Sequence, residues 1–230
     1  ATSYLTIAGQ TAPGGGIQIK NWFLEIGHGA HDVIVRHLKV RQGTDHAPQD
    51  INNGCGGILV YSASSSPQTY NVILDHVSVQ WVCDDSVQFY GNVRNTTLQW
   101  SMVGEGLTGN DYRNAAGEAA NSKALMQGAG AGNLSAHHNL IIHSGGRNPL
   151  AKGTANTAQL LDMRSNVVYN WSGCHGNIAI GAYDEYGSDG SMMVNFVGNK
   201  LIPGPNSSLE CVAGTLAGAR LVVIGGAVVG

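Results

Sequence analysis

A short pattern of alternating apolar and polar residues recurs along most of the chain. Each copy begins near an Asn, Asp or Leu/Met and continues with β-branched or aliphatic residues, as a half-buried strand requires. Several copies hold two apolar runs separated by a polar residue, which predicts two short strands that meet at a bend. The copies are DVIVRHLKVR from Asp32, NVILDHVSVQW from Asn71, NTTLQWSMV from Asn95, NLSAHHNLII from Asn133, LLDMRSNVVYNW from Leu160 and MMVNFVGNKLI from Met192.

The spacing of these copies favours a stack of coils over an α/β fold. No long stretch with a helical period separates the strands, whereas a βαβ fold needs a helix at each crossover. What remains is a series of irregular coils of about 25–35 residues, each of which buries its apolar side chains against its neighbours. We therefore predict an all-β fold, a right-handed parallel β-helix, and a single domain over residues 1–230.

The composition agrees with such a solenoid. Charged residues make up 12% of the chain, about half of the usual share, and stacked coils would place like charges in repelling columns. The 33 glycines suit sharp turns such as that at Pro13–Ile17, because glycine accepts positive φ freely. The longest interruptions of the pattern, residues 42–70 and 104–132, are predicted to be loops that build the binding face.

The charge balance and hydropathy exclude two classes of partner. The chain carries 12 Lys and Arg residues against 15 Asp and Glu residues, a net charge of -3, so it offers no basic field for nucleic acid. Its longest apolar stretch, near the C-terminus, reaches about ten residues, half of what a membrane span needs. We expect a monomer that binds neither nucleic acid nor membrane.

The cysteines and sequons favour a secreted glycoprotein. The absence of a Cys-x-x-Cys pair argues against a zinc site and leaves three disulfide pairings open. Cys55 could bridge to Cys83, one coil away, and Cys174 could bridge to Cys211. The Asn-x-Ser/Thr sequons stand at Asn95, Asn133, Asn170 and Asn206.

Six segments occur in an order and spacing that point to a known family. They are TIAGQTAPGGGI (6–17), VIVRHLKVR (33–41), NVILDHVSVQW (71–81), LQWSMVGEGL (98–107), AHHNLIIHSGGRNP (136–149) and RSNVVYNW (164–171). Together they closely resemble the pectate lyases of polysaccharide lyase family one, over roughly residues 1–200. The resemblance implies a parallel β-helix that cleaves polygalacturonate by β-elimination, with Ca²⁺ between protein and substrate carboxylates.

Within this resemblance, Arg147 in GGRNP matches the arginine that abstracts the proton. Removal of the C5 proton puts negative charge on the neighbouring uronate carboxylate, so cations around it lower the barrier. Because arginine is almost always protonated, the role requires neighbouring cations and alkaline pH. The alternative is that Arg147 only binds a substrate carboxylate or pairs with an acidic residue.

Two lysines match substrate-binding positions of the family. Lys123 corresponds to a lysine that contacts the same uronate as the catalytic arginine. Lys152 stands where the family commonly has a second arginine, so the charge is kept but the bidentate fork is lost. Either lysine could instead be a solvated loop residue.

The resemblance implies calcium ligands from two successive coils. Asp84 and Asp85 are adjacent carboxylates that repel each other unless a cation or a proton lies between them. Asp50 comes from the preceding coil, and Asp45 is a substitute for it. The usual three-residue gap between the two later ligands is missing, and an exposed hydrogen-bonded turn is the alternative for Asp84 and Asp85.

The conspicuous histidines are predicted to be structural. His76 occupies a strand position equivalent to His37, so we expect it to stack or to form hydrogen bonds. His137, His138 and Asn139 suit an inner ladder between coils, and no third ligand argues for zinc.

Three other functions stay open. An inverting polygalacturonase would hydrolyse the same polymer with paired carboxylates, but the Asn-Thr-Asp and Arg-Ile-Lys motifs of those enzymes are absent. A pectin lyase would act on methyl-esterified chains without calcium. A non-catalytic scaffold would hold acidic glycan through its basic residues, although aromatic residues are sparse at 7%.

Overall fold

The computed structural model describes residues 2–44, 55–113, 117, 119–153, 159–172, 179–181, 192–207, 220–221 and 227–228. These residues form 24 strands and a 3₁₀ helix at Gly9–Thr11. In chain order the strands are β1 Leu5–Ala8, β2 Ile17–Lys20, β3 Leu24–Gly27, β4 His31–Arg36, β5 Leu38–Arg41, β6 Ile58–Ser62, β7 Thr69–Asp75, β8 Ser78–Gln80, β9 Asp85–Gly91, β10 Val93–Gln99, β11 Met102–Gly104, β12 Thr108–Arg113, β13 Ala119–Asn121, β14 Lys123–Gln127, β15 Leu134–His137, β16 Leu140–Ile142, β17 Leu150–Lys152, β18 Gln159–Arg164, β19 Val167–Tyr169, β20 Ala179–Gly181, β21 Met192–Val197, β22 Lys200–Ile202, β23 Arg220–Leu221 and β24 Ala227–Val228.

Three parallel sheets carry almost all of these strands. Sheet A has the order β1-β4-β7-β10-β15-β18-β21-β23, sheet B the order β2-β5-β8-β11-β16-β19-β22-β24, and sheet C the order β3-β6-β9-β14-β17-β20. Successive coils thus visit the sheets in turn, and each coil pairs with the next one through parallel ladders. The prediction of an all-β parallel β-helix is confirmed, while the single domain over residues 1–230 stays a prediction.

The repeated sequence segments are the strands of sheets A and B joined by a bend. DVIVRHLKVR, for example, contains β4 and β5, and its His37 turns the chain between them with φ 52°. His76, Trp100 and His138 stand at the equivalent bends with φ 53°, 49° and 57°. In the turn at Pro13–Ile17, two glycines have φ values of 63° and 82°. The predicted bends are therefore confirmed.

The predicted loops are in part wrong. The stretch 42–70 contains strand β6, and the stretch 104–132 contains β12, β13 and β14, of which β12 and β13 form an antiparallel hairpin. Strands β6 and β14 belong to sheet C. The side chains of β14 do not alternate between buried and exposed, since this strand is buried along most of its length.

The core lies inside the coils and is built from columns of aligned side chains. In sheet A one column runs through Val35, Leu74, Leu98, Ala136 and Met163, which are paired in register from strand to strand and fully buried. Burial of an aliphatic side chain contributes about 1.5–3 kcal/mol. The hydrophobic effect therefore fixes which coil faces which.

An internal amide ladder runs through the bends beside this column. The side chain of Asn139 donates to Asn166 Oδ1 at 3.0 Å, and that of Asn166 donates to Asn199 Oδ1 at 2.8 Å. All three residues are buried. The hydrogen bonds between their amide groups replace the hydrogen bonds to water that these polar groups lose on burial. The ladder predicted for Asn139 is confirmed.

The bend histidines lie on the outside and have structural partners. His76 stacks on His37 at 4.7 Å and lies 2.7 Å from Asp75 Oδ1. His138 stacks on Trp100 at 4.3 Å rather than joining the inner ladder. The prediction for His76 is confirmed, and that for His138 is corrected from an inner to an outer ladder.

One disulfide links two coils next to the candidate site. Cys55 and Cys83 are bonded, with a Cα–Cα distance of 5.0 Å, and Asp84 follows directly. Cys174 and Cys211 lie outside the described residues. Nowhere in the described part of the chain is there a helix with the length and apolarity of a membrane span.

Candidate active site

Three successive coils place the charged residues of the motifs side by side on sheet C. Strand β9 begins at Asp85 and strand β14 begins at Lys123, and these two residues are register partners. One coil further on, the backbone carbonyl of Arg147 accepts a hydrogen bond from the N–H of Leu125 at 2.7 Å. The parallel ladder therefore brings together residues that are 62 positions apart in the chain.

Two ion pairs connect these coils. Lys123 Nζ lies 2.5 Å from Asp84 Oδ1, and Arg147 Nη1 lies 2.5 Å from Asp85 Oδ2. Arg147 Nη1 also lies 3.2 Å from the sulfur of Met126. All four charged side chains are at most 19% exposed. Two carboxylates and two cations thus balance each other in a partly desolvated cluster.

Among the four charged groups of the cluster, Asp85 lies in the environment that is least favourable for its charge. It is buried, and its Oδ1 has no hydrogen-bond partner among the residues that the structure describes. Burial, followed by the charge of Asp84, raises the pKa of Asp85 to about 7, although Arg147 and Lys123 act in the opposite direction. A buried carboxylate oxygen without a partner is costly, so the site favours a further cation or a proton at this oxygen.

The raised pKa gives Asp85 a recognisable effect on stability. A carboxyl group whose pKa is higher in the folded than in the unfolded protein binds its proton more tightly when folded, so its contribution to stability falls as pH rises from about 4 towards 7. We expect the free energy of unfolding of Asp85→Asn, relative to the wild type, to rise across this window and to level off above it. Urea unfolding at a series of pH values measures this difference.

Asp162→Asn is the matched control for that titration. Although burial opposes the effect, hydrogen bonds from Arg164 and Asn195 hold the pKa of Asp162 below its usual value. The carboxylate of Asp162 therefore stabilises the fold above about pH 4, and the relative stability of its Asn variant should fall as pH rises to about 4 and stay level from there to pH 7. The same slope for both variants would contradict the assigned environment of Asp85.

The other predicted site residues are not part of this cluster. Lys152 ends strand β17 and is partly buried, and its side chain has no hydrogen bond or ion pair to the residues that the structure describes. It lies on the same sheet as Lys123, one coil beyond β14. Asp50 and its substitute Asp45 lie outside the described residues.

The cluster fits a calcium ion in part. The unpartnered Oδ1 of Asp85 and the neighbouring carboxylate of Asp84 are hard oxygen donors, which Ca²⁺ prefers. In the described parts of the chain no three His, Cys, Asp or Glu side chains converge, whereas Ca²⁺ takes six to eight oxygen ligands. Asp84 and Asp85 would therefore hold the ion together with water and substrate oxygens.

Sequence reasoning missed the features of sheet C that surround this cluster. A hollow beside Asp84 and Asp85 is lined by residues of the first three coils, including Glu25 and Tyr61. Met126 contacts Arg147, and Tyr90 stacks on Tyr61 at 6.0 Å. Once the segments ILVYS and DSVQFYG are known to be strands, their outward-facing residues indicate which side chains line this surface.

Comparison with curated proteins finds relatives from several fungi. The chain is 35% identical to a protein named "Probable pectate lyase C" from Aspergillus flavus and 35% identical to one of the same name from Aspergillus oryzae, each over 89% of this chain and 40% of the relative. The protein of that name from Emericella nidulans is 34% identical over 89% of this chain and 39% of the relative. No protein-family model matches. The matches confirm the resemblance to pectate lyases, and the chain spans about 40% of the length of these relatives.

Proposed function

We propose that this chain acts as a calcium-dependent pectate lyase. It cleaves α-1,4-polygalacturonate by β-elimination and releases 4,5-unsaturated oligogalacturonides. The observation that carries the proposal is the convergence of two cations and two carboxylates from three successive coils, with Arg147 and Lys123 at positions that match the motifs of these enzymes. The similarity to proteins named probable pectate lyase C supports it.

The ion pairs explain how the site responds to substrate. Asp84 and Asp85 would hold the calcium ion, which would supply a Lewis acid for the uronate carboxylate. With these carboxylates engaged by the ion, Lys123 and Arg147 would be available to the substrate. Lys123 binds the carboxylate on which charge develops, and Lys152, which has no partner among the described residues, binds the same or the next uronate.

Arg147 is the proposed general base. Its Nη1 is held by Asp85 on one side and by the apolar thioether of Met126 on the other. Once Asp85 is engaged elsewhere, no described carboxylate holds the guanidinium proton in place. In its neutral form Arg147 accepts the C5 proton, and Lys123 stabilises the negative charge that develops on the carboxylate. The C4–O4 bond then breaks to give the 4,5 double bond, and water protonates the departing oxygen.

The hydrolase alternative finds less support. Hydrolysis by inversion needs one carboxylic acid and one carboxylate on opposite sides of the scissile bond, with room for water between them. Asp84 and Asp85 are neighbours at the start of one strand, and each is engaged by a cation from a following coil. Neither is placed as an independent acid or base.

We also propose that the protein is a secreted monomer and a glycoprotein. The Cys55–Cys83 bridge is typical of oxidising compartments. Asn95, Asn133 and Asn206 are exposed sequon positions, whereas Asn170 is buried and donates to Asn206 Oδ1 at 3.0 Å. We therefore expect glycans at exposed sequons and none at Asn170.

A single assay tests the activity. Polygalacturonate is incubated with the protein at alkaline pH, with calcium or with a chelator, and near-ultraviolet absorbance is followed together with reducing ends. We expect both signals to rise in parallel with calcium and to be lost with the chelator. New reducing ends without absorbance would indicate a hydrolase, and activity on esterified pectin that survives complete chelation would indicate a pectin lyase.

A further inference from the structure

A hollow of about 310 Å³ lies beside the ion pairs, on the outer face of the first three strands of sheet C. Its lining includes Glu25, His28, Leu59, Tyr61, Asp85 and Gln88. Because Asp84 and Asp85 belong to both spaces, the hollow continues the candidate active site. A polymer bound at the ion pairs and directed across the strands would enter it.

The hollow and the ion-pair cluster together form a groove, and the charge of its side chains changes sign from one end to the other. Lys123, Arg147 and Lys152 stand on the side of the later coils, whereas the described lining of the hollow contains neither Lys nor Arg. Glu25 Oε1 lies 2.9 Å from His28 Nε2, and both side chains are partly exposed. Glu25 therefore supplies a carboxylate to this end of the hollow, opposite the cations of the later coils.

Glu25 is too far from the ion pairs to act on the same sugar. On the outer face, Glu25, Leu59, Gln88 and Met126 are successive register partners. Three strand spacings, about 14 Å, therefore separate Glu25 from Met126, the residue that contacts Arg147. The carboxylate that meets Glu25 belongs to a different unit of the polymer from the one that meets Arg147.

Leu59 and Tyr61 give the hollow an apolar patch beside the polar side chains of His28 and Gln88. The ring of Tyr61 stacks on Tyr90, which lies outside the hollow, at 6.0 Å and meets the ring of His28 edge-on at 6.4 Å. Tyr90 in turn rests on Gly128 of the next coil, where a Cβ would lie 2.1 Å from its ring. The ring of Tyr61 is thus held in place, and together with Leu59 it forms a preorganised surface for a small apolar group.

We propose that the hollow is a subsite for an uncharged, methyl-esterified galacturonate unit, and that Glu25 disfavours a unit with a free carboxylate there. The inference rests on the proposed function and adds the substrate class. The preferred polymer is partly esterified pectin that places a free uronate at Lys123 and Arg147 and an ester against Tyr61 and Leu59. Juxtaposed like charges lower affinity, which is the basis of the discrimination.

The test measures the ratio of two specificity constants. Values of kcat/KM are determined in calcium for fully de-esterified polygalacturonate and for partly esterified pectin, with the wild type, Glu25→Gln and Glu25→Lys. We expect Glu25→Gln to raise kcat/KM on polygalacturonate about tenfold, equivalent to about 1.4 kcal/mol, and to leave the value on esterified pectin nearly unchanged. Glu25→Lys should move the ratio further in the same direction.

Asp32→Asn is the control, because Asp32 is a partly exposed carboxylate on sheet A and its removal changes the net charge equally. An unchanged ratio in both Glu25 variants would overturn the inference, as would a weaker calcium affinity of Glu25→Gln, which would make Glu25 a cation ligand. If the wild type forms no unsaturated product from either polymer, the proposed function fails. The inference is then judged from the binding affinities of the same variants for free and methyl-esterified oligogalacturonates.

Discussion

Replacement of Arg147 by Ala is expected to lower kcat on polygalacturonate by about 10³- to 10⁴-fold, the upper range for the loss of a general base. The loss should appear equally in kcat/KM, because proton abstraction is an interaction of the transition state. Arg147→Lys should not restore the rate, since the shorter ammonium group cannot reproduce the guanidinium geometry. Absorbance of the unsaturated product measures both constants.

Arg164→Ala is the matched control for Arg147→Ala. Arg164 lies on sheet A in the following coil and donates to Asp162 at 2.8 Å, so its loss also breaks an ion pair but away from the groove. Because Arg147→Ala leaves the buried Asp85 without its cation, thermal unfolding must show that the variant is folded at the assay temperature. A folded Arg147→Ala variant with a less than tenfold loss of kcat would show that Arg147 only binds substrate.

The second large effect is expected in the double variant Asp84→Ala, Asp85→Ala. It removes both described carboxylates of the cluster, including the buried oxygen without a partner. We expect calcium affinity to fall about 100-fold or more, since Ca²⁺ affinity depends on the number of charged oxygen ligands. Isothermal titration calorimetry measures the binding directly, and the calcium dependence of the rate should shift by the same factor.

Asp32→Ala provides the comparison for this variant, because it removes one carboxylate on another sheet and should leave calcium binding unchanged. The released Lys123 and Arg147 make the site of the double variant strongly positive, which acts against the cation as well. An unchanged calcium titration would exclude Asp84 and Asp85 as ligands and would transfer the role to acidic residues elsewhere in the chain.

Sheets A and B could be predicted from the sequence because each strand has one buried and one exposed face. In β4, for example, Val33 and Val35 point into the core and Ile34 points outwards. Sheet C could not be predicted in the same way. In β14, residues Ala124–Gln127 are all buried, since the outward Met126 is covered by Leu150 and Arg147, so no alternation marks the strand.

The site was predictable as a set of motifs but not as an arrangement. Arg147, Lys123 and Asp84 could be recognised from short matching segments. Their pairing could not be predicted, because it depends on how many residues lie between the strands of sheet C in each coil. The hollow is harder still to predict from the sequence, because Glu25 and Tyr61 are brought together only by the register of β3 with β6.

The parallel ladders of sheet C allow the outer surface of one coil to change during evolution without disturbing its neighbours. Each of the three coils that carry Asp85, Lys123 and Arg147 docks on its neighbours through backbone hydrogen bonds and aligned aliphatic columns, which depend little on the outward side chains. The outer surface of a coil can thus be exchanged as a cassette while the coils above and below stay in place. A transplant of these three consecutive coils into a longer or shorter solenoid should carry both ion pairs of the candidate site with it.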